Sequence, residues 1–195
     1  MERAGRGKIP EGCPGSTAAI LGGVLLGLSI AQVARSRGAR VTVTDIYPTP
    51  LVCAEELGLG PCLDVSEMET AQVTEVLGDA GGEHGYIAVF DTTGRAETLQ
   101  QGLSCLDRGG TLVAMAGVPE GFCPEEGALA GERRLVTCSN NFEADYQEGL
   151  DLLKGGTVQV EPMITHRFPL VEAKKAFETA RNKHETGALK VLLLP

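Results

Sequence analysis

A cluster of glycines near the start of the chain has the spacing of a phosphate-binding turn. Gly22, Gly23 and Gly27 follow a short apolar stretch and precede a segment whose apolar residues recur at helical spacing. The dinucleotide fingerprint, GxGxxG between a strand and a helix, uses its second glycine to let the backbone approach a pyrophosphate. Val24 occupies that second glycine position here. The pattern predicts a cofactor site, with binding weakened by the β-branched side chain of Val24.

A carboxylate follows at the spacing that such a site requires. Asp45 ends the β-branched run 40–44, and it follows Gly27 at roughly the 20 residues typical of dinucleotide sites. A carboxylate there accepts hydrogen bonds from the adenosine ribose and repels the extra phosphate of NADP. Alone, Asp45 would equally suit an ordinary solvated turn. Combined with the glycine turn, it predicts a preference for NAD.

A third motif, FDTTG at residues 90–94, ends the apolar run 86–90. A polar loop that closes on a glycine is well placed to face a cofactor when it lies at the carboxyl edge of a sheet. The same residues would also make a plain strand-to-helix turn. Both interpretations stay open on the sequence alone.

The elements around these motifs alternate between strand and helix. Strands are predicted at residues 17–21, 40–44, 86–90, 111–116 and 135–139, and helices at 51–57, 67–77, 94–106 and 142–153, with a further helix ending near Gly38. Such alternation is typical of an α/β fold with a Rossmann-type doubly wound parallel sheet and helices on both faces. We therefore expect a lead-in at residues 1–15 and a cofactor-binding domain at 16–155.

The remaining residues, 156–195, read as a separate tail. Residues 162–168 are extended, 170–181 are helical and 188–194 form an apolar strand. An apolar strand with an open edge invites pairing with another chain. We expect the chain to form a homo-oligomer.

Composition excludes several classes of function. With 195 residues, 43% of them hydrophobic, and a formal net charge of -9, the chain has a globular composition and no basic surface for nucleic acid. The apolar run 18–34 after a basic start imitates a signal peptide, but its glycine spacing favours a strand, turn and helix. We expect a cytoplasmic protein that does not bind membranes.

The order of the motifs resembles that of a known family. PGSTAAILGG, VTVTDIYP, VFDTTG, LDRGGTLVAMAG and the closing ITHRFPLVEAKKAFE with GALKVLLLP follow one another along residues 14–195. This order resembles the cofactor-binding domain and C-terminal tail of zinc-type medium-chain alcohol dehydrogenases, in the sorbitol and threonine dehydrogenase branch. A methyltransferase, which also places glycines before an acidic residue, fits the closing segments less well.

The resemblance implies a role for each matching residue. The pyrophosphate would lie against the turn, the adenosine against the end of the second strand, and the nicotinamide against the residues after strand 111–116. The implied cofactor-binding residues are Gly22, Gly23, Leu25, Leu26, Gly27, Asp45, Ile46, Tyr47, Thr92, Thr93, Gly94, Ala116, Gly117 and Val118.

The resemblance also implies what the chain lacks. Family members begin with a GroES-like catalytic domain that supplies the zinc ligands, and no equivalent precedes residue 14. His84, His166 and His184 are far apart in sequence, without partners at ligand spacing. We predict no zinc ligands and no catalytic residues in this chain. It would be either the NAD-binding part of a dehydrogenase, inactive alone, or a non-catalytic remnant that acts as a dimerising or interaction protein.

Overall fold

A computed structural model describes residues 15–139 and 142–195 of the chain. Strands and helices alternate through the first two thirds of this part and build a six-stranded parallel sheet with helices on both faces. A smaller two-stranded parallel sheet follows near the C-terminus. The predicted α/β, Rossmann-type architecture is confirmed. Most of the predicted lead-in, residues 1–14, lies outside the described residues.

The elements are named in chain order. The strands are β1 (Thr17–Leu21), β2 (Arg40–Asp45), β3 (Cys62–Asp64), β4 (Tyr86–Asp91), β5 (Leu106–Ala114), β6 (Arg134–Thr137), β7 (Ile164–Pro169) and β8 (Lys190–Leu194). The helices are α1 (Leu25–Ser36), α2 (Pro48–Glu56), α3 (Thr70–Gly81), α4 (Ala96–Ser104), α5 (Glu143–Lys154), α6 (Ala173–Arg181) and α7 (Lys183–Thr186).

The strand order places the motifs together. The large sheet runs β3-β2-β1-β4-β5-β6, so the chain builds outward from β1 in one direction and then from β4 in the other. All neighbours are parallel, and β1 pairs with both β2 and β4. The carboxyl ends of β1, β2 and β4 therefore lie side by side at the point where the order reverses, which is where ligands bind in open α/β sheets.

Apolar residues on both sheet faces hold the helices in place. Leu28, Ala31 and Ala34 of α1 are fully buried on one face, and Leu99 and Leu103 of α4 are fully buried on the other. The spacing of these residues puts them on one side of each helix. Burial of such side chains is the main force that stabilises the fold, at roughly 1.5–3 kcal/mol for each large side chain.

The structure differs from the prediction at β3, α3 and β5. Strand β3, only three residues long, was not predicted. Helix α3 begins later than expected and continues through Gly78 to Gly81, because a glycine at position 81 lets the helix lie against the ring of Tyr86. Strand β5 begins at Leu106 rather than 111, and it incorporates Gly109 and Gly110.

The C-terminal segment is anchored to the first half of the chain. Met163 is completely buried in the core that also contains α1 and α2 side chains. Gln32 of α1 donates to the Gln159 carbonyl at 3.2 Å and accepts from the Gln159 amide at 2.8 Å. Strands β7 and β8 then pair with each other in parallel. The tail therefore contacts the sheet domain through residues just before β7.

The apolar run 18–34 forms most of β1, the glycine turn and much of α1. Across the described ranges of the chain, none of the helices has both the length and the apolar character to cross a bilayer.

The closest packing between α1 and the sheet occurs at Gly27, and this contact predicts a stability difference between two helical glycines. A Cβ added at Gly27 would lie 2.1 Å from the Gly22 carbonyl oxygen, whereas one at Gly78 would have open space around it. We expect Gly27→Ala to lower the free energy of unfolding by about 2–3 kcal/mol, as overpacking does. Gly78→Ala, the control, should raise it by about 0.5–1 kcal/mol. Urea denaturation of both variants measures the difference, and equal effects would contradict the packing argument.

Candidate cofactor-binding site

The glycine turn forms one wall of a cleft at the carboxyl edge of the sheet. Gly22 has a φ of +96°, and its amide donates to the Thr44 carbonyl at 2.9 Å. A side chain there would meet Thr92 Oγ1 at 2.4 Å. Both the backbone conformation and the lack of space therefore require glycine. The turn lies directly against the ends of β2 and β4.

Helix α1 begins immediately after this turn. Its N-cap residue is Val24, whose apolar side chain cannot accept a hydrogen bond from the first-turn amides. The helix start therefore presents backbone N–H groups and the positive end of the helix dipole, an arrangement that suits a phosphate group. Val24 lines the cleft at this same point.

Asp45 is held rigidly at the end of β2. Its Oδ2 accepts from the Gly23 amide at 2.8 Å, and its Oδ1 accepts from the Tyr47 amide at 2.9 Å. The side chain is almost entirely buried, yet it borders the cleft. Because a carboxylate oxygen can accept more than one hydrogen bond, both oxygens keep capacity for a ligand hydroxyl. The glycine turn and the acidic residue thus form one hydrogen-bonded unit.

The FDTTG loop is organised by Asp91 at the end of β4. This carboxylate is completely buried; its Oδ2 accepts from the Gly94 amide at 2.9 Å, and its Oδ1 lies 2.8 Å from the hydroxyl oxygens of Thr93 and Thr98. Thr92 Oγ1 donates to the Gly22 carbonyl at 2.9 Å. Asp91 therefore holds the loop through its hydrogen bonds, while Thr92 joins the loop to the glycine turn.

These three parts enclose a cleft of about 610 Å³. Six of the predicted cofactor-binding residues line it, namely Gly22, Asp45, Ile46, Tyr47, Thr92 and Thr93, and Val24 lines it as well. A volume of this size is within the range of small-molecule and cofactor sites.

The other predicted residues lie outside the walls of this cleft. Gly23 and Gly94 support it through the hydrogen bonds to Asp45 and Asp91. Leu26 is 45% exposed and Val118 is 41% exposed, and neither borders the cleft. Ala116 lies next to Gly94, because a Cβ added at position 94 would be 3.1 Å from the Cβ of Ala116. The structure therefore brings Gly22 of the predicted pyrophosphate residues together with the predicted adenosine residues and the threonine loop, but it does not bring Leu25, Leu26 or residues 116–118 into the same cavity.

Leu25 faces a second cavity, of about 620 Å³, between α1, the sheet and α5. Its lining is almost wholly apolar and includes Ile30, Val113 and Leu153. Few polar groups there could orient a ligand, whereas the first cleft also has charged and hydroxyl side chains in its lining.

Several cleft residues had no motif to indicate them. Arg95 and Glu97 lie at the start of α4, with Arg95 Nε 3.4 Å from Glu97 Oε2. The pKa of Glu97 lies below its ordinary value because the carboxylate accepts hydrogen bonds from its own backbone amide and from Arg95, whose positive charge also favours the anion. Lys183 reaches the cleft from α7, far along the chain. Only its charge could have suggested a role.

The residues that could bind zinc do not gather anywhere in the described ranges. No group of three or more His, Cys, Asp or Glu side chains within residues 15–139 and 142–195 has the geometry to hold a metal ion. The described residues therefore do not fit a catalytic zinc, and no chemical step can be assigned to one here.

The chain is similar in sequence to known dehydrogenases. The model of the zinc-binding dehydrogenase family matches residues 26–155. The chain belongs to this family. A sorbitol dehydrogenase of Bacillus subtilis is 26% identical over 185 residues, covering 93% of the chain but 51% of the relative. An L-threonine 3-dehydrogenase of Saccharopolyspora erythraea is 30% identical, with 86% and 48% covered.

A solved structure shows the same relation. A Sinorhizobium meliloti protein described as a zinc-binding dehydrogenase, with NADP bound, superimposes with a TM-score of 0.78 at 31% identity. The match covers 93% of this chain and 53% of that one. The chain spans about half the length of the relatives that it matches, and the match runs through the sheet domain and the tail.

The geometry of the turn generates a prediction for Val24. The side chain at the N-cap of α1 borders the space where a pyrophosphate would meet the helix amides. We expect Val24→Gly to tighten NAD binding by about three- to tenfold, since it removes bulk and also provides a better N-cap. Val24→Ala, which removes only the branch, should give an intermediate effect. Calorimetric titration measures both, with thermal unfolding as the control for helix stability.

If NAD binds Val24→Gly no more tightly than the parent chain, the side chain of Val24 does not face the pyrophosphate.

Proposed function

We propose that this chain binds NAD in the 610 Å³ cleft and serves as the cofactor-binding part of an alcohol or polyol dehydrogenase. The observation that carries the proposal is the position of Asp45. Its carboxylate is fixed by the amides of Gly23 and Tyr47, so one rigid unit presents both the phosphate-binding turn and a ribose-binding acid.

Each part of the cleft has a role in this proposal. The turn at Gly22 and the amides at the start of α1 hold the pyrophosphate, with Gly23, Leu25, Leu26 and Gly27 supporting it. Asp45 holds the adenosine ribose, and Ile46 and Tyr47 lie beside the adenine. Thr92, Thr93 and Gly94 lie toward the inner side of the cofactor. Ala116, Gly117 and Val118 are proposed for the nicotinamide end. When bound, NAD supplies the acceptor for a hydride from a secondary alcohol.

The enzymatic part of the proposal needs groups beyond those described. In zinc enzymes of this chemistry the metal acts as a Lewis acid on the alcohol oxygen. Because the described residues provide no fitting ligand set, we propose that alcohol oxidation requires a zinc-bearing catalytic domain and that residues 15–195 alone bind cofactor without turnover. Residues 16–155 would form the cofactor domain and 156–195 the segment that packs against the catalytic one.

The role of Asp45 can be tested by cofactor selectivity. We expect the parent chain to bind NAD more tightly than NADP, and we expect Asp45→Ala to reduce that preference by about tenfold, since it removes both an acceptor for the ribose and the repulsion of a 2′-phosphate. Asp107→Ala is the control. It changes the same residue type near the amino-terminal end of β5, away from the carboxyl ends of the strands, and should leave the preference for NAD over NADP intact. Titration with NAD, NADP and S-adenosylmethionine provides the measurement.

An unchanged ratio of NAD to NADP affinity in Asp45→Ala would show that Asp45 does not hold the ribose. Binding of S-adenosylmethionine in place of NAD would contradict the proposal that the cleft binds NAD. Asp45→Asn retains one acceptor for the Gly23 or Tyr47 amide, so it separates loss of ligand contact from loss of local structure.

A second candidate function, as an interaction module, has support from the tail. Val171, just before α6, is 92% exposed, and Phe177 of α6 is 72% exposed. In the described residues, β7 and β8 pair only with each other, so each keeps an open edge. We propose that this apolar surface of the tail mediates self-association.

If the chain self-associates through the tail, replacing exposed apolar residues there should lower the molecular mass of the oligomer. Val171→Ser and Phe177→Ser together should shift the chain toward the monomer, because apolar surface buried between copies is replaced by hydroxyl groups. Val52→Ser, at a 52% exposed position in α2, is the matched control and should not change the mass. Light scattering at tens of micromolar measures the result, at roughly the concentration where weak oligomers form. A parent chain that is monomeric under these conditions would contradict the proposal.

A further inference from the structure

A lysine from the far end of the chain reaches the adenosine end of the cleft. Lys183 belongs to α7, and its Nζ lies 5.2 Å from the centroid of the Tyr47 ring. Lys183 and Tyr47 both line the cleft beside Asp45. Since the Tyr47 amide is hydrogen-bonded to Asp45 Oδ1, the ammonium group lies over the residue that borders the proposed ribose site.

The segment that carries Lys183 is held in place from both sides. Thr186 Oγ1 donates to the Thr179 carbonyl at 2.9 Å, which fixes α7 against the end of α6. Gly187, with a φ of +66°, ends α7 and approaches α2 so closely that a Cβ would lie 2.9 Å from Thr49 Oγ1. The position of Lys183 at the cleft is therefore built into the packing of the tail.

The charge of Lys183 is available to a ligand. Two cationic side chains line the cleft, and Arg95 is already paired with Glu97. Among the ion pairs within the part of the chain that the structure describes, none involves Lys183, and its Nζ lies over the face of the Tyr47 ring. A cation held by such a contact at an exposed position loses little when an anion takes its place, because cation–π attraction there is weak.

We propose that Lys183 binds the adenosine end of the dinucleotide and pairs with a phosphate on the ribose. This inference rests on the proposed function. Asp45 disfavours a 2′-phosphorylated cofactor by repulsion, and Lys183 offsets part of that repulsion by charge pairing. The chain therefore prefers NAD but still accepts NADP, and Lys183 sets the margin between the two.

Selectivity variants test this assignment. In Lys183→Ala the affinity for NADP falls about fivefold, the upper range for an exposed ion pair, while the affinity for NAD changes by less than about twofold. Lys183→Glu lowers NADP affinity further, and Lys183→Arg retains it. Lys174→Ala removes the same charge from α6 without touching the cleft, and it serves as the matched control.

Salt dependence supplies a readout that a purely structural role would not change. NADP affinity of the parent chain should fall more steeply with added salt than NAD affinity, because the extra ion pair is screened. That difference should shrink in Lys183→Ala. Gly187→Ala keeps the charge of Lys183 but displaces the turn from Thr49. It should therefore weaken NADP binding, as Lys183→Ala does.

The outcomes separate the two proposals. If the parent chain binds NAD, and Lys183→Ala leaves the NADP to NAD ratio and the salt dependence unchanged, the role of Lys183 is overturned and the proposed function stands. If the parent chain binds neither NAD nor NADP, the proposed function fails and this inference fails with it.

Discussion

The cleft depends on the close approach of helix α1 to the turn that precedes it. With no side chain at position 27, the first turn of α1 lies directly on the Gly22 carbonyl, and that carbonyl also accepts the hydroxyl of Thr92. The contact therefore sets the distance between α1 and the loop after β4. The next residue, Gly23, donates its amide to Asp45 and so ties β2 to the same turn. One glycine-rich segment thereby positions the helix amides, the acidic residue and the threonine loop relative to one another.

Much of this arrangement follows from short-range patterns in the sequence. Residues 17–45 combine an apolar strand, glycines and a β-branched strand in an order that favours a βαβ unit, and the structure agrees there almost residue by residue. Strand β3 gave no such signal, since a run of three residues has no measurable period. The predicted helix 67–77 stops before Gly78 and the predicted strand 111–116 begins after Gly110, whereas both glycines lie inside α3 and β5. In both places a glycine instead permits close packing, at Gly81 against Tyr86 and at Gly110 against the Tyr86 carbonyl.

Some residues of the candidate site could be predicted from the sequence and others could not. Gly22, Asp45 and Thr92 could be identified because each lies at the carboxyl end of a strand, either as its last residue or directly after it. Lys183 could not, because its place in the cleft depends on the contact between Gly187 and Thr49, which are distant in sequence. Contacts of this kind arise from tertiary packing and leave no local period. Residues 116–118 show the opposite case, since the family resemblance implies a place at the nicotinamide end for them but they do not line the cleft.

The groups around the cleft offset the acidity of the chain in the proposed complex with an anionic cofactor. The net charge is -9, and Asp45 and Glu97 both border the cavity. Backbone amides at the start of α1 attract phosphate without adding a charged side chain, and each carboxylate is already engaged by hydrogen bonds from the protein. In the proposed complex, the helix amides and the two cations, Arg95 and Lys183, would act on the phosphates at short range. Because one of those cations comes from the tail, any partner or domain that moves the tail would also alter the adenosine end of the cleft.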